Sequence, residues 1–272
     1  MNILSRKIQK LTITAMSNIK SQNILSKLRF YEIVYEMITK DIIRNKREIY
    51  YLDVPIFKTQ KVVDRYIKEI CRELKVTAYK LNITNTLKGI FYGSVQFDGG
   101  KESTTNINTI PNTTTLIPDM NRISKVTTEA KLCVVVEKDT IFSKIVRSSS
   151  IPKEWLVVCG KGYPCFNTQM FLSRLENVKI VGLFDYDPYG LDIFLKYLKI
   201  CKIEKIGLER EDVEKITKID LNLRDISRMK NLRNYKETYQ EIKEMEEGGV
   251  KAELEGIFEK ENIIEYINRK VV

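Results

Sequence analysis

Apolar positions recur at helical spacing through residues 1–45, among them Leu25, Leu28, Tyr31, Ile33, Val34 and Ile38. Residues 49–54 read as a short extended or turning segment ending at Pro55. A second helix is predicted over residues 59–74, where Val62, Val63, Tyr66, Ile67, Ile70, Cys71 and Leu74 form one stripe. Residues 90–97 read as a strand, and residues 98–128, rich in Thr, Asn, Gly and Pro, as a loop or loose hairpin region. From Lys131 the pattern changes. Continuous apolar runs at 132–136, 155–159 and 178–184 alternate with helical spacing near 139–148, 166–176 and 189–199, and residues 203–208 fit a further short strand. Near-continuous apolar strands separated by helices predict a parallel sheet with right-handed crossovers. The last fifty or so residues are charged and helical, and no internal repeat is evident. The fold class is therefore α/β plus a mainly helical domain.

Charge sharpens this division. The 272 residues carry 46 Lys and Arg against 36 Asp and Glu, a net charge of +10. Residues 1–80 hold 17 basic against 8 acidic side chains, and the other 192 residues hold 29 against 28. A basic first domain suits a polyanion such as nucleic acid. On the predicted helix, Lys61, Arg65, Lys68 and Arg72 share the face opposite the apolar stripe. That pattern fits a helix lying along a DNA groove, and it also fits an ordinary solvated face. Helices followed by a strand in under a hundred basic residues fit a winged helix-turn-helix. The expected domains are thus 1–105, carrying these helices, a linker at 106–128, and a parallel-sheet domain at 129–272.

Composition excludes some chemistry. Histidine is absent, which removes Ser-His-Asp catalysis, His-bearing zinc motifs and any His general base. The five cysteines form no C-x-x-C pair and read as small hydrophobes in a reducing compartment. No signal-peptide core or membrane-length apolar run occurs, so a soluble intracellular protein without membrane attachment is expected.

The candidate chemistry lies where predicted strands end. Glu137 follows the run 132–136, and Asp185-Tyr186-Asp187 follows the run 178–184. Open α/β sheets bind ligands beyond the carboxyl ends of their strands, so the three carboxylates are expected to share one crevice. Three such groups cannot all stay ionised without a cation, and oxygen-only ligands point to Mg²⁺. The third strand ends at Gly160-Lys161-Gly162-Tyr163-Pro164. Glycines there allow close approach to a phosphate and Lys161 can neutralise it, although the spacing is not that of a P-loop. In the basic domain, Arg47-Glu48-Ile49-Tyr50-Tyr51 pairs two tyrosines. Adjacent tyrosines are commonly packing residues, but a tyrosine can also attack a phosphodiester. With a free pKa of about 10, only ~0.1% is phenolate at neutral pH, so it would need activation by Arg47, other cations, a carboxylate or the metal site.

Together these motifs resemble the A subunit of topoisomerase VI and its relatives, the endonucleases that initiate meiotic recombination. The resemblance runs from about residue 30 to the end. Arg47 to Tyr51 is similar to the family's Arg-Asp-Ile-Tyr-Tyr, and Val136-Glu137-Lys138-Asp139-Thr140-Ile141-Phe142 to the first acidic motif of its Toprim domain. The segment from Gly160 to Pro164, the D-x-D-P-x-G segment from Asp185 to Gly190, and Lys251-Ala252-Glu253-Leu254-Glu255 follow in the family's order. The resemblance implies a CAP-like winged-helix domain followed by a Rossmann-like Toprim domain. It assigns Tyr51 as nucleophile, with Tyr50 as the fallback, and Arg47 as its helper. Glu137, Asp185 and Asp187 would hold Mg²⁺, while Lys61, Arg65, Lys68, Arg72, Lys161 and Tyr163 would face DNA. Cys165 stands where the family commonly has Asp, and Gln169 where it has Arg, which puts one DNA-facing or structural contact in question. The chain is also short for the family, so partner-recruiting extensions are expected to be reduced.

The implied activity is a type IIB topoisomerase-like transesterase that breaks both strands of DNA through 5′-phosphotyrosyl links during meiotic recombination. A homodimer, an ATPase-like B-type subunit or other recombination proteins, and a nuclear location would follow. Alternatives are a topoisomerase VI A subunit that relaxes DNA with its ATP-hydrolysing partner, a weakly active DNA-binding scaffold, and a Toprim hydrolase or primase.

Overall fold

The computed structural model describes residues 3–17, 23–84, 87–99, 107–108 and 113–271. Contacts divide the chain into two compact units, Met1–Thr86 and Leu87–Val272. No helix among the described residues is long and apolar enough to cross a membrane.

The first unit holds α1 (Ile3–Met16), α2 (Ile24–Thr39), β1 (Arg44–Asn45), α3 (Lys46–Tyr51), α4 (Val54–Phe57), α5 (Gln60–Leu74) and β2 (Ile83–Thr84). Its core gathers Phe30, Val34 and Met37 from α2, Ile49 from α3, Phe57 from α4, and Val63, Tyr66 and Ile70 from α5. The stripe predicted for residues 59–74 is therefore buried as a helix face. The segment expected to be extended from residue 49 is instead helical up to Tyr51. Asn45 accepts from the backbone N–H groups of Arg47 and Glu48, while the Glu48 side chain accepts from Asn45 N–H. Such a capping box contributes about 1 kcal/mol, enough to start a short helix that a core residue, Ile49, then anchors. Asp53 caps α4 in turn, with Pro55 in its first turn.

The second unit begins with β3 (Ile90–Tyr92), β4 (Gln96–Gly99), β5 (Ile107–Asn108), β6 (Thr114–Leu116) and β7 (Ile123–Thr127). Then come β8 (Leu132–Val136), α6 (Asp139–Val146), β9 (Trp155–Cys159), α7 (Phe166–Ser173), β10 (Lys179–Leu183), α8 (Pro188–Leu198) and β11 (Ile203–Gly207). It closes with α9 (Arg210–Val213), β12 (Ile219–Asp220), α10 (Leu223–Leu232), α11 (Tyr239–Gly248), β13 (Val250–Lys251), α12 (Leu254–Phe258) and α13 (Ile263–Val271). The main sheet runs β11-β10-β8-β9-β3-β6. Strands β11, β10, β8 and β9 are parallel, as their unbroken apolar runs predict. Alternate residues feed opposite faces: Val134, Val136, Val157 and Leu183 pack with α6 and α13, and Cys133, Val135, Val158 and Phe184 with α7.

Three expectations change here. The sheet is mixed rather than wholly parallel, because β3 and β6 join antiparallel beyond β9. Accordingly, the strand expected as a wing of the first domain belongs to the second unit, and the division falls at residue 86 rather than in 106–128. Ile90 pairs with Cys159 and Tyr92 with Val157, a long-range register that local spacing cannot reveal. The expected loop at 98–128 contributes β5, β6 and β7, with β5-β4-β7 as a separate antiparallel sheet. Residues 100–106 and 109–112 of that region lie outside the described residues. All five cysteines are free, with Cys133 and Cys159 fully buried.

Candidate active site and nucleic-acid interface

Strand order places the crevice. From β8 the chain steps to β9 on one side, then passes to β10 and β11 on the other. The point where direction reverses lies between β8 and β10, and ligand crevices form at such points. Glu137 follows β8 and Asp185 follows β10, where Val136 and Leu183 are paired. The Asp185 N–H donates to Glu137 Oε2 at 3.3 Å, so the two carboxylates are neighbours. Both residues are buried. Asp187 caps α8, accepting from Gly190 N–H at 2.6 Å, with Pro188 at the helix start. Tyr186 turns into the core between them, and its backbone forms a bridge with Ala252.

Burial works against ionising all three carboxyls. Burial, then Asp185 and Asp187, pushes the Glu137 carboxyl up to about 8. Burial pushes Asp185 up to about 6, against the pull of Lys138 and the Leu254 N–H. Burial also raises Asp187. Lys138 Nζ lies 2.8 Å from Asp185 Oδ2 and also meets Glu255 at 3.3 Å and Glu253 at 3.4 Å. Lys251 pairs with the buried Asp225 at 2.8 Å. Among the described residues no three His, Cys, Asp or Glu side chains converge closely enough to hold a metal ion. The expected three-carboxylate site is therefore not assembled as a closed cage. The donor set still fits Mg²⁺: hard oxygens, buried carboxyls whose ionisation their surroundings disfavour, and an ion that commonly needs only one or two carboxylates beside water and phosphate.

The loop after β9 is tied to this crevice. Gly162 N–H donates to the Glu137 carbonyl at 2.9 Å. Lys161 and Gly162 have φ of 53° and 77°, so two successive residues take the left-handed form that a sharp turn requires. A Cβ on Gly160 would lie 2.2 Å from the Tyr197 hydroxyl, which explains glycine there. Lys161 is exposed but pairs with Asp139 at 3.3 Å, so it is partly neutralised. The Tyr163 hydroxyl donates to Asp192 at 2.6 Å and accepts from Arg228 at 3.1 Å, and Arg228 also pairs with Asp192. Cys165 occupies the N-cap of α7 without capping it, its thiol 3.3 Å from Thr168 Oγ1, and Gln169 donates to the Pro164 carbonyl at 3.0 Å. Both departures from the family pattern thus serve the loop locally. Lys138 and Lys251 stood inside the sequence motifs without an assigned role, whereas Asp192 and Arg228 carried no sequence signal.

In the first unit the two tyrosines separate clearly. Tyr50 is half-buried and donates to the Lys58 carbonyl at 3.4 Å, while Tyr51 is 67% exposed at the end of α3. Their rings lie 5.3 Å apart, and Arg47, on the same helix, is exposed. Lys61, Arg65, Lys68 and Arg72 all reach solvent along α5. The face is not purely cationic. Asp64 pairs with Lys46 at 3.2 Å, and Glu69 pairs with Lys27 at 3.2 Å and lies 3.9 Å from Arg65.

Residues 22–83 match a family described as Type IIB DNA topoisomerase. Residues 132–271 match the family of the Toprim domain that Spo11 shares with the topoisomerase 6 A subunit. The chain belongs to the Spo11/topoisomerase VI A family. Its second unit thus contains a Toprim-type domain, and its first is the helical N-terminal region. The relatives of this Spo11-family chain include the "Probable meiosis-specific protein SPO11 homolog" of Encephalitozoon cuniculi, 35% identical over 280 residues, covering 95% of this chain and 91% of that protein. "Meiotic recombination protein rec12" of Schizosaccharomyces pombe is 32% identical over 170 residues, covering 61% and 47% of the two chains. "Meiotic recombination protein SPO11" of Homo sapiens is 31% identical over 177 residues, covering 62% and 44%. The chain therefore spans about half the length of the fission-yeast and human proteins.

Proposed function

We propose that this Spo11-family chain makes DNA double-strand breaks that initiate meiotic recombination. The observation that carries the reading is the buried Glu137–Asp185 pair at the switch point of the sheet, a site built for a cation and a phosphate. The exposed Tyr51 hydroxyl supplies the nucleophile, since the hydroxyl of Tyr50 is already engaged by a carbonyl. Its oxygen bonds to phosphorus as the bond from phosphorus to the 3′ oxygen breaks. The tyrosyl proton is lost and the 3′ oxygen leaves as a hydroxyl, while the 5′ end remains on the protein. Arg47, beside the tyrosine on α3, balances phosphate charge or assists deprotonation.

When bound at Glu137, Asp185 and Asp187, Mg²⁺ would position the phosphate and stabilise charge developing on it. Lys161 and Tyr163 line the adjoining loop and face the backbone. The exposed cations of α5 track DNA phosphates. One tyrosine cuts one strand, so a break needs two copies of the chain. Any ATP-dependent step would require a separate B-type subunit, and the work would take place in the nucleus.

The deciding experiment is a search for protein covalently attached to 5′ DNA ends, with Mg²⁺ present. Wild type should give adducts, and Tyr51→Phe and Glu137→Ala should give none. Adducts formed by Tyr51→Phe would overturn the assignment of the nucleophile. ATP-dependent relaxation with a partner subunit would instead favour a topoisomerase VI A role.

A further inference from the structure

Helix α6 borders a charged cleft that the proposed break chemistry leaves unused. Thr140, Ser143, Lys144, Arg147 and Ser148 line it at helical spacing, on one face, and its volume is about 550 Å³. Among the described residues no carboxylate pairs with Lys144 or Arg147, and the acid at the rim, Asp139, pairs with Lys161 at 3.3 Å. Lys144 Nζ donates to the Phe258 carbonyl, which fixes the ammonium in place. The chain leaves α6 through a serine turn. Residues 147–154 are neither helix nor strand, and Ser149 and Ser150 are exposed. The Ser150 hydroxyl lies 3.0 Å from the Ser148 hydroxyl, and Ser150 N–H donates to Ser148 Oγ at 3.4 Å. The turn is thus folded back, with the Ser150 oxygen one hydrogen bond from a residue that lines the cleft. A serine kinase of the basophilic class takes a serine three residues after an arginine, in a segment that can lie extended in its groove. Arg147 and Ser150 have that spacing outside regular structure. Arg224 and Ser227 share the spacing but lie within α10, where helical hydrogen bonds hold the backbone.

We propose that Ser150 is a phosphoacceptor site and that the α6 cleft holds the phosphate placed on it. The Ser150 oxygen attacks the γ-phosphorus of ATP on a basophilic serine kinase. The bond from that phosphorus to the β–γ bridging oxygen breaks, ADP leaves, and the hydroxyl proton passes to the kinase's base. The phosphoserine brings a charge of about −1.5 to −2 and three acceptor oxygens. Lys144 and Arg147 balance that charge, and the hydroxyls of Ser143 and Ser148 add donors. Modification thus neutralises a cationic surface of the second unit and pins the serine turn to α6.

The full chain is treated with ATP and a serine kinase that selects arginine three residues ahead of its target, and the products are mapped by mass spectrometry. Wild type should carry phosphate on Ser150, Ser150→Ala should carry none in this turn, and Ser227 should stay unmodified. Phosphorus NMR then follows the phosphoserine as pH is varied. Cations beside a phosphate favour its dianion, so the second ionisation should fall roughly half a pH unit or more below the open value of about 6. Lys144→Gln keeps the arginine that the kinase reads and should move the midpoint back toward that of a phosphorylated peptide spanning residues 144–155. A folded wild-type chain that takes no phosphate at Ser150 would overturn the proposal. So would a wild-type midpoint equal to the peptide's, which describes a phosphate that nothing holds. A lowered midpoint that Lys144→Gln leaves unmoved would overturn the cleft as the receptor.

Discussion

Gly190 sets two energies against each other. It lies in the first turn of α8, where its N–H is held by Asp187. Replacing a helical glycine by alanine favours folding by about 1 kcal/mol. Here a Cβ would stand 2.5 Å from the Asp185 carbonyl oxygen and 3.1 Å from the Asp185 nitrogen. Both are backbone atoms, and neither can swing aside as a side-chain tip would. Overpacking of this kind costs roughly 1–3 kcal/mol, and a contact with rigid backbone belongs at the upper end. The clash should win by about 1–2 kcal/mol, which for a unit of this size lowers the melting temperature by roughly 2–8 °C. Gly248→Ala is the matched control. It sits at the end of α11, and the nearest atom to its Cβ is a Val250 methyl at 3.5 Å, an ordinary contact. Thermal and urea melts should therefore show Gly190→Ala destabilised and Gly248→Ala unchanged or stabilised. A Gly190→Ala protein that melts at or above wild type would refute the claim that the acidic loop and α8 are packed backbone to backbone.

Three further outcomes are expected. Tyr163→Phe keeps the ring but removes the bond to Asp192, costing about 1 kcal/mol in urea unfolding, whereas Arg228→Ala leaves the buried Asp192 with Tyr163 and a Lys196 ammonium 4.0 Å away and should cost roughly 2 kcal/mol. Burial works to raise the Asp212 carboxyl, but Tyr266, the Glu209 N–H and Lys270 together hold it below the usual range. The stability it lends is present above the unfolded value of about 3.9 and lost as pH falls through the lower folded value. Asp212→Asn should therefore lose most against wild type at neutral pH, and the gap should close in melts carried below pH 3. Finally, Asn45→Ala removes the capping box of α3 and should destabilise the first unit by about 1 kcal/mol, read as faster amide exchange from residue 47 to residue 52.

How much was legible depended on the range of the interactions. The strands at Leu132–Val136, Trp155–Cys159 and Lys179–Leu183 were readable because burial on both faces leaves an unbroken apolar run. Their order then brought Glu137 beside Asp185, as the strand-end rule requires. The allegiance of Ile90–Tyr92 was not readable, since β9, the strand that ties it to the main sheet, lies more than sixty residues away and its three residues carry no distinctive period. The short helix at Lys46–Tyr51 was missed because six residues are too few for periodicity, although Asn45 and Glu48 carried the capping signal. Asp192 and Arg228 came from two helices whose charged faces look like ordinary solvated surface in sequence. The convergence of Lys138 with Glu253 and Glu255, more than a hundred residues apart, depended on the Tyr186–Ala252 bridge, which no local pattern encodes.

The cap formed by Asp187 has a further consequence for how such a protein could fall silent over evolutionary time. The group proposed to meet the ion is also the group that starts α8, so purifying selection for folding alone would retain a hydrogen-bond acceptor at that position. Asparagine is as good an acceptor there as aspartate but brings no charge. A lineage carrying Asn at position 187 would keep its fold and its melting temperature while its proposed ion site lost one carboxylate. Gene decay at this site would leave a well-folded relic, invisible to any measurement of stability and detectable only by asking whether the ion still binds.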